Sequence, residues 1–185
     1  MKKNPASIII SAILILLAAI ALGQSLSSED INKSVSNILG ATTQINTPEG
    51  YYQVTQVVDG DTFKVDIDGK NQTVRLLAID TPETVDPRKP VQCFGVEASN
   101  HLKSLLQNQS VRFEYDSLQN KYDRYHRLLA YVYLEDGTFI NAHMVKEGYA
   151  FAYTPIDSDH LEEMRQLEKQ ARENSQGLWS QCDIQ

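Results

Sequence analysis

Residues 51–80 read YYQVTQVVDGDTFKVDIDGKNQTVRLLAID, and this stretch decides the fold. Two apolar, alternating runs, YYQVTQVV and TFKVDI, are separated by Asp59-Gly60-Asp61. Asp68-Gly69 then precedes QTVRLLAI. Aspartate–glycine pairs between alternating runs signal tight turns, because both residues tolerate positive φ. The spacing predicts a three-stranded antiparallel meander over residues 51–79, with Asp80 ending the third strand.

Further along, Ala98, Leu102, Leu105 and Leu106 recur at helical spacing and predict a helix of about three turns with one buried face. SVRFEY and RLLAYVYLE read as two more strands, and Asp136-Gly137 turns the chain into FIN. Asn141 is the expected N-cap of a second helix, and Asp159 with Glu162 has the spacing of a capping box for a third. Leu161, Met164, Leu167 and Ala171 supply the apolar stripe of that third helix, with Gly177 beyond its C-terminus. The expected class is α+β, mainly β: a five-stranded OB-type barrel carrying three helices, since five short strands close in that way.

The N-terminal segment differs in composition. Lys2 and Lys3 precede the uncharged run Ala6 to Gly23, as in a signal peptide, although the run also approaches the length of a membrane span. Residues 1–23 are expected to be a signal peptide or membrane anchor, residues 24–49 a polar linker, and residues 50–182 the folded domain. With a formal net charge of −7, the chain does not suit a general nucleic-acid coat protein. An exported chain with two cysteines, Cys93 and Cys182, is expected to pair them. The four histidines are scattered without ligand-like spacing, so zinc is not indicated.

Arg75 is the unusual residue of the opening stretch. It lies among Val74, Leu76 and Leu77, and a guanidinium that stays charged needs an anionic partner there. Asp80 or Glu83 would satisfy it, and so would a phosphodiester. Asp61 and Asp80 fall at strand ends that adjacent strands can bring together, and two carboxylates with carbonyl oxygens suit a hard cation. Taken alone, these are also ordinary turn aspartates. Glu83 is placed to accept a proton from an attacking water. Lys121, Arg124 and Arg127 alternate with Tyr122 and Tyr125 before a strand, a pattern suited to phosphates and bases.

In order, VVDGDTFKV, RLLAIDTPET, FGVEAS, DRYHRLLAYVY and GLWS resemble the successive motifs of the staphylococcal nuclease (thermonuclease) family. The resemblance spans about Tyr51 to Ser180. It implies an OB-fold and calcium-dependent hydrolysis of phosphodiester bonds in DNA and RNA. It further implies that Asp61, Asp80 and the carbonyl of Thr81 hold Ca2+. Glu83 would orient or deprotonate water, and Arg75 and Arg127 would grip the scissile phosphate. Tyr125, Arg124, Lys121 and Tyr153 would contact substrate. His126 and Leu128 stand where relatives often carry glycine, and the family's aromatic pair after the second helix is reduced to Tyr153.

The expected function is therefore that of an exported, monomeric nuclease acting on single-stranded or locally melted DNA and RNA. A non-catalytic nucleic-acid-binding OB module tethered at the membrane through residues 6–23 is the competing reading. The carboxylates and arginines that carry the chemistry are all in place, and that weighs against it.

Overall fold

The computed structural model describes residues 50–84 and 90–184, which lie within one compact unit, Thr47–Gln185. The expected signal or anchor segment and the linker lie outside the described residues. Five strands close a barrel in the order β1-β2-β3-β6-β5. They are β1 (Tyr52–Val57), β2 (Thr62–Ile67), β3 (Lys70–Leu76), β5 (Ser110–Glu114) and β6 (Leu128–Leu134). Asp68 and Gly69, at φ 52° and 77°, form the tight turn between β2 and β3 that their sequence predicts. All neighbours pair antiparallel except β3 and β6, which run parallel and close the sheet.

Alternation along the strands sends Phe63, Val65, Val74, Leu76, Val111, Ala130 and Val132 into a fully buried interior. Helix α1 (Gly95–Leu106) adds Ala98, Leu102 and Leu106 to that core, the face its periodicity predicts. Helix α2 (Ile140–Lys146) packs on β6 of the barrel, α3 (Leu161–Glu173) packs on α2, and α4 (Leu178–Gln181) is one further turn. The closed mainly-β barrel thus agrees with expectation, with four helices among the described residues in place of three.

Several local expectations are corrected. The third strand does not continue to Asp80. Ala78 turns left-handed at φ 63°, and Ile79–Asp80 becomes a separate strand, β4, paired with β7 (Phe151–Ala152). Asn141 does not cap α2. It is buried, with its side chain accepting from Val132 N at 2.9 Å and donating to Leu77 O at 2.8 Å, so it fastens β6 to the end of β3. Asp159 does not cap α3 either: its carboxylate accepts from Ser117 N and Oγ at 2.6 and 2.7 Å. In both cases a long-range partner outcompetes the local one. Cys93 and Cys182 form a disulfide, as expected, with Cα atoms 5.9 Å apart.

Candidate active site

The left-handed turn at Ala78 is what sets Asp80 beside Arg75. Arg75 faces Thr62 across the β2–β3 ladder, so its guanidinium emerges next to Asp61. Nη1 lies 2.6 Å from Asp61 Oδ2, and Nη2 lies 2.8 Å from Asp80 Oδ1. Nη1 also donates to the carbonyls of Leu76 and Ile79 at 3.3 Å. A carboxylate partner and a phosphodiester partner are not exclusive for Arg75: it is held by carboxylates at the mouth of a cleft.

Asp61 is buried, and each of its oxygens is engaged. Oδ1 accepts from Thr62 Oγ1 at 2.9 Å, and Oδ2 accepts from Thr81 N and Oγ1 at 3.2 and 3.0 Å. The Asp-Gly-Asp turn comes close enough to Thr81 that a Cβ on Gly60 would sit 2.7 Å from Thr81 Oγ1. Glycine is needed there for close approach. Asp59 joins the group, its Oδ1 accepting from Asp61 N at 3.2 Å. Burial, and then the neighbouring Asp61 charge, push the Asp59 carboxyl up to about 6. Burial likewise raises Asp80, with Arg75 opposing it.

A cleft of about 210 Å³ is lined by Asp59, Asp61, Arg75, Asp80, Thr81, Pro82, Glu83 and Arg127. The structure therefore brings together the residues expected to be catalytic and those expected to hold metal. Glu83 is half-buried, its backbone N–H donating to Gln92 Oε1 at 2.7 Å. Arg127 reaches the cleft from the loop before β6, and its Nε donates to Asp123 Oδ2 at 2.7 Å. Asp123 also accepts from the backbone N–H groups of Tyr125 and Arg127 at 2.8 and 2.9 Å. Burial works to raise the Asp123 carboxyl, but these hydrogen bonds together hold it below its ordinary value.

The donors fit a hard cation in their chemistry. Asp61, Asp80 and Asp59 offer carboxylate oxygens, and no imidazole or thiolate is among the residues lining the cleft. Among the described residues, no three or more His, Cys, Asp or Glu side chains form a ready-made metal cage, so carbonyl and solvent oxygens would have to complete the set.

Beside this cleft lies a larger cavity of about 600 Å³, whose lining includes Arg75, Tyr122, Arg124, Tyr125, Arg127, Leu129 and Tyr153. Tyr125 is exposed, with the Arg124 and Arg127 guanidinium carbons 4.8 and 5.5 Å from its ring centroid. Lys121 is not brought into either cavity; its ammonium lies 4.4 Å from the Tyr115 ring centroid instead. His126 adopts φ 59°, a left-handed conformation that glycine takes more easily. Asp59 and Asp123 are the site residues that the motif reading missed. Asp59 was visible only as a turn residue, and Asp123 only as a charge within a basic run.

A family model described as staphylococcal nuclease homologue matches residues 73–181. Thermonuclease from Staphylococcus hyicus is 47% identical over 137 residues, covering 73% of this chain and 79% of that protein. Thermonuclease from Staphylococcus intermedius is 45% identical over 130 residues, 69% of this chain and 75% of that protein. Endonuclease YncB from Bacillus subtilis is 38% identical over 128 residues, 68% of this chain and 59% of that protein. The motif order, the matching family model and the extent of these similarities lead to one assignment: the chain belongs to the staphylococcal nuclease family.

Proposed function

We propose that this chain is a calcium-dependent nuclease hydrolysing phosphodiester bonds of DNA and RNA with little sequence specificity. The observation that carries the reading is the convergence of Arg75, Arg127, Glu83, Asp61 and Asp80 on one cleft, in a chain whose relatives include thermonucleases. Asp61, Asp80 and the Thr81 carbonyl would hold Ca2+, and Asp59 stands beside them. A bound calcium ion supplies positive charge to the phosphate and favours deprotonation of water nearby.

The protein groups perform the remainder. Arg75 and Arg127 donate to phosphate oxygens and stabilise the charge that builds as phosphorus becomes five-coordinate. Glu83 accepts the proton of the water whose oxygen bonds to phosphorus, and the ester P–O bond opposite breaks. Asp123, bound to Arg127 Nε, fixes the direction of that guanidinium at the cleft. The adjoining cavity of about 600 Å³ has room for a nucleoside, with Tyr125, Arg124 and Tyr153 on its wall. Recognition through phosphate and ring faces would be tolerant of sequence.

Export, as a secreted or membrane-attached monomer, belongs to the same proposal. The apolar run Ala6 to Gly23 and the Cys93–Cys182 bond support it, since disulfides persist in oxidising compartments. The test is incubation of the protein with single-stranded DNA and RNA, with calcium or with a chelator. Shortened products in calcium only are expected; equal products in chelator, or none in either, would overturn the reading.

A further inference from the structure

The groups that meet at the cleft are fixed by different means. Asp61 directly precedes β2 and Arg75 belongs to β3, so the barrel sets both. Asp80 stands in β4, which is paired with β7, and Arg127 is tied to Asp123. Glu83 lies beyond β4 and outside any strand or helix, so no ladder or helical turn places it. A base that must meet one water beside one phosphate tolerates little wandering. Misplacement by about 1 Å can cost roughly 10²-fold in rate.

Gln92 supplies a hold on this segment. Its Oε1 accepts from Glu83 N at 2.7 Å, and its backbone N donates to Glu83 O at 2.9 Å. One residue thus engages both polar groups of the Glu83 backbone. Gln92 is placed in turn by the start of α1, where its carbonyl accepts from Gly95 N at 3.1 Å. A Cβ on Gly95 would sit 2.7 Å from Thr84 Cγ2 and 2.9 Å from Pro82 O, so glycine lets α1 come close to the Glu83 segment. Ala98, Leu102 and Leu106 root α1 in the core, and the clamp is thereby anchored to the body of the domain. The Gln92 side chain itself is exposed. A hydrogen bond in contact with water adds little net stability, so this one matters for position more than for folding.

We propose that Gln92 is a positioning residue for Glu83: by accepting the Glu83 N–H, its side-chain carbonyl sets where the Glu83 carboxylate meets the attacking water. The inference rests on the nuclease reading of the cleft. Gln92 is not among the residues lining that cleft, so its effect reaches the reaction through Glu83. A side chain of equal length without an acceptor leaves the Glu83 N–H to water and frees the segment to shift. A carboxylate at the same place keeps the hydrogen bond.

The test is hydrolysis of a short single-stranded oligonucleotide in calcium by the full chain, unsubstituted or carrying Gln92→Met, Gln92→Glu, Glu83→Gln, or Gln92→Met with Glu83→Gln. Gln92→Met matches glutamine in length but offers no oxygen. Its kcat should fall about 10-fold, with KM changed by less than about 2-fold. Thermal melts of this variant and the unsubstituted chain should coincide. Gln92→Glu keeps an acceptor and should stay within about 3-fold of the unsubstituted kcat. In the Glu83→Gln background, where no basic oxygen remains to be misplaced, adding Gln92→Met should change the rate by less than about 2-fold. An equal loss in both backgrounds, a loss confined to KM, an unsubstituted rate for Gln92→Met, or a Gln92→Glu as slow as Gln92→Met would overturn this inference alone. An unsubstituted chain that hydrolyses nothing in calcium would overturn the nuclease reading, and this inference with it.

Discussion

Arg75 Nη1 and Asp61 Oδ2 meet at 2.6 Å, both side chains largely withdrawn from solvent. Such a pair contributes little over an apolar replacement, but removing one member leaves the other charge uncompensated. Asp61 also receives Thr81 N and Oγ1, so it fastens the segment after β4 to the start of β2. Asp61→Ala is therefore expected to lower unfolding stability by about 3 kcal/mol. It should also abolish any rise in melting temperature produced by calcium. Urea unfolding and melts with and without calcium check the two effects; a retained calcium-dependent rise would remove Asp61 from the proposed ligands.

Glu83 lines the same cleft, and its proposed work needs a basic oxygen. Glu83→Gln keeps shape and hydrogen-bonding capacity while losing that basicity. Turnover on an oligonucleotide should fall by roughly 10²-fold or more, with the melting temperature little changed. Rates equal to those of the unsubstituted chain would assign the proton transfer elsewhere.

Away from the cleft, His101 and His143 bring their Nε2 atoms to 3.1 Å, and the His101 ring stacks on Tyr149 with centroids 3.8 Å apart. Burial, then the proximity of His143, lowers the His101 pKa from 6.5, with Glu147 working the other way. A lowered histidine pKa means that the folded state binds this proton less readily than the unfolded state. Its stabilising effect is complete above about 6.5 and is lost as pH falls through the folded-state value. Melting temperature should accordingly drop as pH is taken from 7.5 towards 5, and His101→Phe should flatten that part of the profile. An unchanged pH profile in the variant would assign the acid sensitivity to other groups.

Much of this architecture was legible in the chain. Alternation between the turns at Asp59 and Asp68 predicts the β1–β3 meander, and the apolar stripe of α1 is the face that becomes buried. Arg75 announces itself because a guanidinium among aliphatic residues must have anionic company. What escaped were choices made by distant partners. Ala78 has no sequence mark of a left-handed residue, and the β4–β7 pairing depends on chain more than 70 residues later. Asn141 and Asp159 look like caps, yet each has a competing long-range hydrogen-bond partner that local spacing does not reveal. Asp123 sits in a run dominated by basic residues, and only the folded loop shows that it orients Arg127.

The Cys93–Cys182 bond ties the segment before α1 to the tail after α4, across a separation of 89 residues. In the chain-entropy view, closing so long a loop stabilises by up to about 4 kcal/mol, less any native strain. Cys93→Ser with Cys182→Ser should lower the urea midpoint correspondingly while preserving turnover at 25 °C, because neither cysteine lines the cleft. Loss of turnover with an unchanged midpoint would mean that the bond serves the site and not the fold.

Arg75 and Arg127 should not tolerate lysine. A phosphoryl group becoming five-coordinate gathers charge on its equatorial oxygens, and a planar guanidinium can offer two parallel hydrogen bonds to them. An ammonium keeps the charge but offers a point donor on a flexible stem. Each change to lysine should lower turnover by about 10²-fold or more. The two should differ in what else they disturb. Arg75 bridges Asp61 and Asp80 and donates to two carbonyls, so Arg75→Lys should also reduce the melting temperature. Arg127 pairs with Asp123 and sits in a loop, so Arg127→Lys should show the purer rate effect. Steady-state kinetics on a short oligonucleotide, run beside thermal melts, separate the two. If both lysine variants turned over near the unsubstituted rate, charge alone would suffice and paired hydrogen bonding to the phosphate would be the wrong account.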